Sequence, residues 1–267
     1  MKPFATPTPG PTAIGHSTNL VGVPMDFLAH QGFNDNPIPL HISGVREMNG
    51  PLFEMLAQAP DLADAGVAFT CYMMAMFGID PEQQEAGAAN GRRRYRSSFL
   101  RLIKGWGYDS NGPEGAVLKG WVESRFGLFP TFHREPIRRI ASAPWTTYVE
   151  QKMSSRFHNN AIYVQLDLLY EFCQWALSHF SASGSTHVTL YRGVNGFDEH
   201  PIIERISKRE AVVRTNNLVS FSHDRDVAGQ FGDTIMEARV PIVKIVALSA
   251  LLPGAVLKGE GEFLVIG

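Results

Sequence analysis

An α+β fold is predicted for this chain, with a helical N-terminal half packed on a mainly antiparallel β-rich C-terminal half. Two observations carry that expectation. From about residue 45 to residue 180 apolar residues recur at the three- and four-residue steps of amphipathic helices. After the turn-forming run Ser181-Ala182-Ser183-Gly184-Ser185 the texture changes to short segments rich in β-branched and aromatic residues: HVTLYRGV, NLVSFS, TIMEARVPI, VKIVALSALL and EFLVIG. Composition agrees: the 267 residues are 44% hydrophobic and 19% charged, ordinary globular usage that sets aside a disordered or fibrous chain.

Pro3, Pro7, Pro9, Gly10 and Pro11 crowd the start, so residues 1–44 read as an extended N-terminal segment. Residues 45–180 form the helical region and 181–267 the β-rich region, the two together making one compact unit. Within the first, Asp80 as N-cap, Pro81 at the first helical position and Gln83 at N3 compose a capping box. Asn160 is expected to cap a helix whose apolar face is Ile162, Leu166, Leu169, Tyr170, Cys173 and Leu177, ending near Phe180. In HDRDVAGQFG, between two of the β segments, Asp224 caps a short helix and Gly232 ends it.

Several function classes are disfavoured. Lysine plus arginine number 24 against 26 acidic residues, a net charge of -2, so no global field draws nucleic acid or an anionic membrane. The run Arg92-Arg93-Arg94-Tyr95-Arg96 is the densest basic stretch, suited to a solvated helix face or an acidic contact. Cys71 and Cys173, each inside an apolar run, are expected to pack as small hydrophobes rather than form a disulfide or a metal site. The first twenty residues lack an apolar leader core, and no stretch is apolar for the roughly 18 residues a membrane helix needs, so a cytoplasmic protein is expected. Neither G-x-G-x-x-G at a strand-to-helix junction nor a P-loop occurs, and the nine histidines form no metal motif.

Three segments of the β-rich region hold polar residues where a buried strand would avoid them. Arg192 in VTLYRGV must reach solvent or meet an anion, and an ordinary strand-edge arginine would satisfy the same pattern. Gly193 beside it permits close approach to the backbone. Ser220 and Ser222 in LVSFSHD lie two apart, so both hydroxyls share one face of a strand, as they also would in a plain half-exposed strand. Glu260 and Glu262 in KGEGEF share that spacing. Two carboxylates so near repel, which is tolerable in a solvated loop and costly in a cleft unless a cation lies between them.

The order aromatic-Arg, Ser-x-Ser, Glu-x-Glu across three β segments, at separations of roughly 30 and 40 residues, is more specific than its parts. It resembles the Arg-Ser-Glu class of mono-ADP-ribosyltransferases, in which a Glu-x-Glu pair accompanies arginine as acceptor. SFSHDRDVAGQF is similar to the class's serine strand and the segment after it, with Ala228 and Phe231 as the alanine and aromatic, while Phe221 stands where the class often has threonine. GHSTNLVGVP, NPIPLHISGVREMNGPLF and the helical stretch beyond them extend the resemblance over nearly the whole chain, to the dinitrogenase reductase ADP-ribosyltransferases of nitrogen-fixing bacteria.

This resemblance implies an enzyme that uses NAD as co-substrate, without a metal, to modify one arginine of the nitrogenase iron protein. That modification would inactivate nitrogenase when fixed nitrogen appears or energy falls, under a PII-type signalling protein. Glu262 is expected to bind the ribose 2′-hydroxyl and stabilise positive charge developing on the sugar. Glu260 would bind the incoming guanidinium and accept its proton. Arg192 would hold the pyrophosphate, the Gly193 backbone the nicotinamide amide, and Ser220 the ribose and Glu262. Phe231 would stack on the nicotinamide, with Ser222 completing the NAD-binding set. Two other readings stay open here: an NAD glycohydrolase, in which water replaces arginine, and a catalytically idle NAD-binding module.

Overall fold

The computed structural model describes residues 14–79, 98–154, 160–180, 184–196, 200–252, 257 and 263–267. The capping box at Asp80–Gln83 and the basic run Arg92–Arg96 lie outside the described residues. The architecture is α+β, with helices dominating up to Phe180 and antiparallel strands after it.

Residues 14–44 are not an extended segment. They carry α1 (Met25–Leu28) and α2 (Gln31–Asp35), and Val21, Val23, Leu28, Phe33, Leu40 and Ile42 are buried in the core. Their apolar surface is large enough that packing outweighs the extended bias of the prolines before them. Helices α3 (Val45–Met48), α4 (Gly50–Leu56) and α5 (Leu62–Phe77) follow, then α6 (Phe99–Tyr108), α7 (Pro113–Phe126) and α8 (Ala143–Lys152). Side-chain oxygens of Asp61, Ser98 and Ser142 cap α5, α6 and α8 in turn. On α5 the buried residues Ala65, Phe69 and Met73 recur every four positions, which leaves Cys71 exposed rather than packed as a small hydrophobe.

The helix expected behind Asn160 is α9 (Asn160–Phe180). It is buried on more than the anticipated face. Ile162, Leu166, Leu169, Tyr170 and Cys173 are covered, and so are Leu168, Phe172 and the polar residues Gln165, Asp167, Glu171 and Gln174. Each of these polar groups is satisfied, as burial requires. Gln165 Oε1 accepts from the Phe99 amide, Asp167 from Trp121 and Arg125, and Glu171 from the Ile42 amide and Arg46; Gln174 Nε2 donates to the Ile242 and Ile245 carbonyls. Thus α9 is the hub that both halves share.

Strand β3 (His187–Val194) pairs antiparallel with β7 (Thr234–Pro241) along its whole length. A second sheet has the order β6 (Leu218–Phe221), β9 (Phe263–Ile266), β8 (Ile245–Leu248), also antiparallel, and β8 lies against α9. Two further pairs were not anticipated: β1 (Phe132–His133) with β2 (Glu135–Pro136), and exposed β4 (Ile202–Arg205) with half-buried β5 (Ala211–Val213). One apolar cluster runs from Val21 to Ile266 and draws on both halves. No helix among the described residues is long and apolar enough to cross a membrane.

The joint between α7, β1 and α8 contains a buried titratable network. His133 is fully buried; its Nε2 lies 2.8 Å from Gln151 Oε1 and its Nδ1 3.5 Å from the ammonium of buried Lys119. Burial first, and then the charge of Lys119, hold the imidazole down at about 4. The unfolded chain therefore takes up a proton near pH 6.5 that the folded chain refuses until about 4. Stability should fall as pH drops through that window, by up to roughly 3 kcal/mol. His133→Gln keeps an acceptor and a donor but cannot titrate, so denaturant unfolding at pH 7 and pH 4.5 should show a smaller acid loss in this variant than in the parent.

Candidate active site

The two sheets meet where β3 passes β6. The amide of Tyr191 donates to the Ser222 carbonyl at 2.7 Å and the Ser222 amide returns a bond to the Tyr191 carbonyl at 2.8 Å. This bridge places Arg192, the next residue on β3, against the serine strand. Arg192 Nη1 donates to the Ser220 carbonyl at 3.0 Å, and its Nε donates to Nε2 of His200 at 3.2 Å. His200 is 1% exposed, so it is a fixed acceptor rather than a mobile one. A guanidinium is planar, and two bonds to separate edges fix its plane.

Strand β6 is not the half-exposed strand that alternation alone would suggest. Leu218, Val219, Phe221 and Ser222 are all buried and Ser220 is half-buried. The two serine hydroxyls do different things. Ser222 Oγ accepts from the Asp224 amide at 3.0 Å, a local turn that starts α10 (Arg225–Gly229). Ser220 Oγ instead accepts from the indole N–H of Trp106, at 2.8 Å.

Asp224 caps α10 as anticipated, accepting from the amides of Asp226 and Val227. Gly232 does not end it: the helix stops at Gly229 with Gln230 as its cap, and a Cβ on Gly232 would lie 2.4 Å from the Val194 backbone. The role of Gly193 is sharper than backbone access alone. A Cβ there would lie 2.0 Å from the Ala228 carbonyl oxygen, so only glycine lets α10 close on β3. That same carbonyl accepts from the Phe231 amide at 3.1 Å, which brings Phe231 beside Gly193.

Arg192, Gly193, Ser220, Ser222 and Phe231 therefore surround one junction of β3, β6 and α10. Glu260 and Glu262 lie outside the described residues. Phe263, which follows Glu262 in the chain, pairs with Phe221, the residue between the two serines. Trp106 and His200 were missed by sequence reasoning. Trp106 is 114 positions from its partner, in a stretch that reads only as amphipathic helix, and His200 precedes Pro201 in a segment with no motif. Among the described residues no group of three or more His, Cys, Asp or Glu is placed to hold a metal ion.

The family model of dinitrogenase reductase ADP-ribosyltransferase matches residues 18–267. The chain is 65% identical, over 269 aligned positions, to the NAD(+)--dinitrogen-reductase ADP-D-ribosyltransferase of Rhodospirillum rubrum, covering 100% of this chain and 96% of that protein. No solved structure matches the chain significantly. A match of this length and identity spans helical half, strand junction and C-terminal strand alike, and on it the chain belongs to the dinitrogenase reductase ADP-ribosyltransferase family.

Proposed function

We propose that this chain transfers the ADP-ribose of NAD to an arginine of dinitrogenase reductase, inactivating it to regulate nitrogen fixation. The observation that carries the reading is the Arg192–Ser220 contact. Two residues 28 apart in sequence, both assigned to NAD by the resemblance, are joined at 3.0 Å on adjoining strands. A PII-type signalling protein is the regulator this reading includes, on the strength of the resemblance alone.

In this mechanism Arg192 holds the pyrophosphate by charge-assisted hydrogen bonds and Phe231 packs on the nicotinamide. Ser220 orients the ribose, while Ser222 shapes the turn that carries α10. The bond between ribose C1′ and the nicotinamide nitrogen breaks, with nicotinamide leaving as the neutral ring. Glu262 stabilises the positive charge that develops on the sugar. A guanidine nitrogen of the acceptor then bonds to C1′, and the proton it loses goes to Glu260.

The test is incubation with NAD labelled in its ADP-ribose portion and with dinitrogenase reductase, followed by peptide mapping. Label on a single arginine is the expected result. Nicotinamide release without protein label would mean a glycohydrolase instead, and NAD binding with neither would mean a binding module. Within the same reading, Arg192→Lys keeps the charge and loses the fork, so NAD affinity should fall by about ten- to a hundredfold. Calorimetric titration with NAD measures it, and unchanged affinity would return Arg192 to an ordinary strand-edge role.

A further inference from the structure

Trp106 lies on α6, in the helical half, and is 5% exposed. Its Nε1–H donates to Ser220 Oγ across the boundary between the two halves, at 2.8 Å. An indole nitrogen can only donate, so the polarity of this bond is determined. Ser220 Oγ is the acceptor there, and its own proton is directed elsewhere. No other hydrogen bond to this hydroxyl occurs among the described residues. The indole is itself held in place. The ammonium of Lys119 sits 5.8 Å from the ring centroid, anchored by Asn111 Oδ1 and the Phe132 carbonyl at 3.0 Å each.

We propose that Trp106 is a positioning residue for the transfer reaction: by occupying the acceptor side of Ser220 Oγ it turns that hydroxyl into a donor aimed at an oxygen of the substrate ribose. The inference rests on the NAD-site reading of Ser220. A serine hydroxyl left alone rotates among its wells and presents either a lone pair or a proton to the sugar. With the indole on one lone pair, the position that would point the proton at Trp106 is excluded, which biases the hydroxyl toward presenting its proton to the sugar and lessens reorganisation during the reaction. A structural role alone, satisfying a buried indole N–H, would give the same bond but would not tie ribose chemistry to it.

Trp106→Phe removes the N–H and keeps an aromatic ring on α6. We expect kcat for NAD cleavage to fall by about two- to tenfold, the worth of one hydrogen bond, with KM for NAD little changed. Ser220→Ala should fall by a similar factor, and the double variant should be no worse than Ser220→Ala, because the two act as a unit. Normal kcat in Trp106→Phe alongside an impaired Ser220→Ala overturns the inference while leaving the NAD site intact, as do losses that multiply in the double variant. An unimpaired Ser220→Ala overturns the NAD-site reading of Ser220, and the inference with it.

Should Trp106→Phe fold poorly, the parent chain supplies a second readout. It has 4 tryptophans, and the indole N–H resonance of Trp106 should move on NAD addition in the parent and stay still in Ser220→Ala. The same movement in both proteins would overturn the proposal.

Discussion

Glu262→Gln is expected to abolish both arginine transfer and NAD hydrolysis. The two reactions share one difficult step, the breaking of the bond between ribose and nicotinamide, and they differ only in what arrives afterwards. A carboxylate beside the sugar stabilises the charge that appears in that step, and an amide of the same shape does not. Removing a single preorganised electrostatic stabiliser costs on the order of a hundredfold or more. The substitution is close to isosteric, and the strand that begins at Phe263 is held on both sides by β6 and β8, so the fold should not respond. Nicotinamide release, measured with and without dinitrogenase reductase, reads both activities together. Transfer at near-normal rate in this variant would remove Glu262 from the chemistry.

Glu260→Gln should separate the two activities. An arginine guanidinium is protonated at any working pH, with a pKa above about 12, and becomes a nucleophile only as it gives up a proton. Glu260 is assigned that proton, and it is also the anion that draws the cation in. Its loss should reduce arginine transfer by roughly a hundredfold or more, while water still attacks a sugar that Glu262 continues to stabilise, so slow NAD hydrolysis persists. The same nicotinamide assay decides. Equal proportional loss of both activities would make Glu260 part of the NAD site. Retention of both would mean that the spacing of two between the glutamates is incidental.

The pairing of these glutamates also bears on why they tolerate each other. Two carboxylates two residues apart in sequence repel wherever both reach one site, and in the proposed mechanism the acceptor guanidinium relieves that repulsion. The acceptor's charge and the site's own cost are matched in this reading. The net charge of -2 gives no long-range field for a cationic acceptor, so selectivity for arginine falls to this local pair rather than to steering.

By itself the sequence determined the class of fold, and it singled out Arg192, Gly193, Ser220, Ser222 and Phe231, which the fold gathers at one junction, while Glu260 and Glu262 lie outside the described residues. The period of 3.6 up to Phe180 and the alternating β segments after it are local properties, each set by which side chains a short stretch must bury, and they matched α3 to α9 and β3, β6, β7, β8 and β9. Asp224 was legible as a cap because its carboxylate acts two and three residues away. What only the tertiary structure decided depends on chain segments far apart. Alternation in LVSFSHD cannot reveal that β6 is buried on both faces, since that follows from what packs above and below it. Nor can a glycine in a strand announce that a helix carbonyl will close on it, as Ala228 does on Gly193. Residues 1–44 read as extended because prolines crowd positions 3 to 11, yet the buried Glu171 of α9 takes the Ile42 amide and Arg46 and draws the later part of that stretch into the core. Ser220 and Ser222 are indistinguishable by spacing, but one hydroxyl is held by its own turn and the other by Trp106, 114 residues away. Local periodicity encodes which face is apolar; the partner of a polar group is set by long-range packing, which no short window of sequence contains.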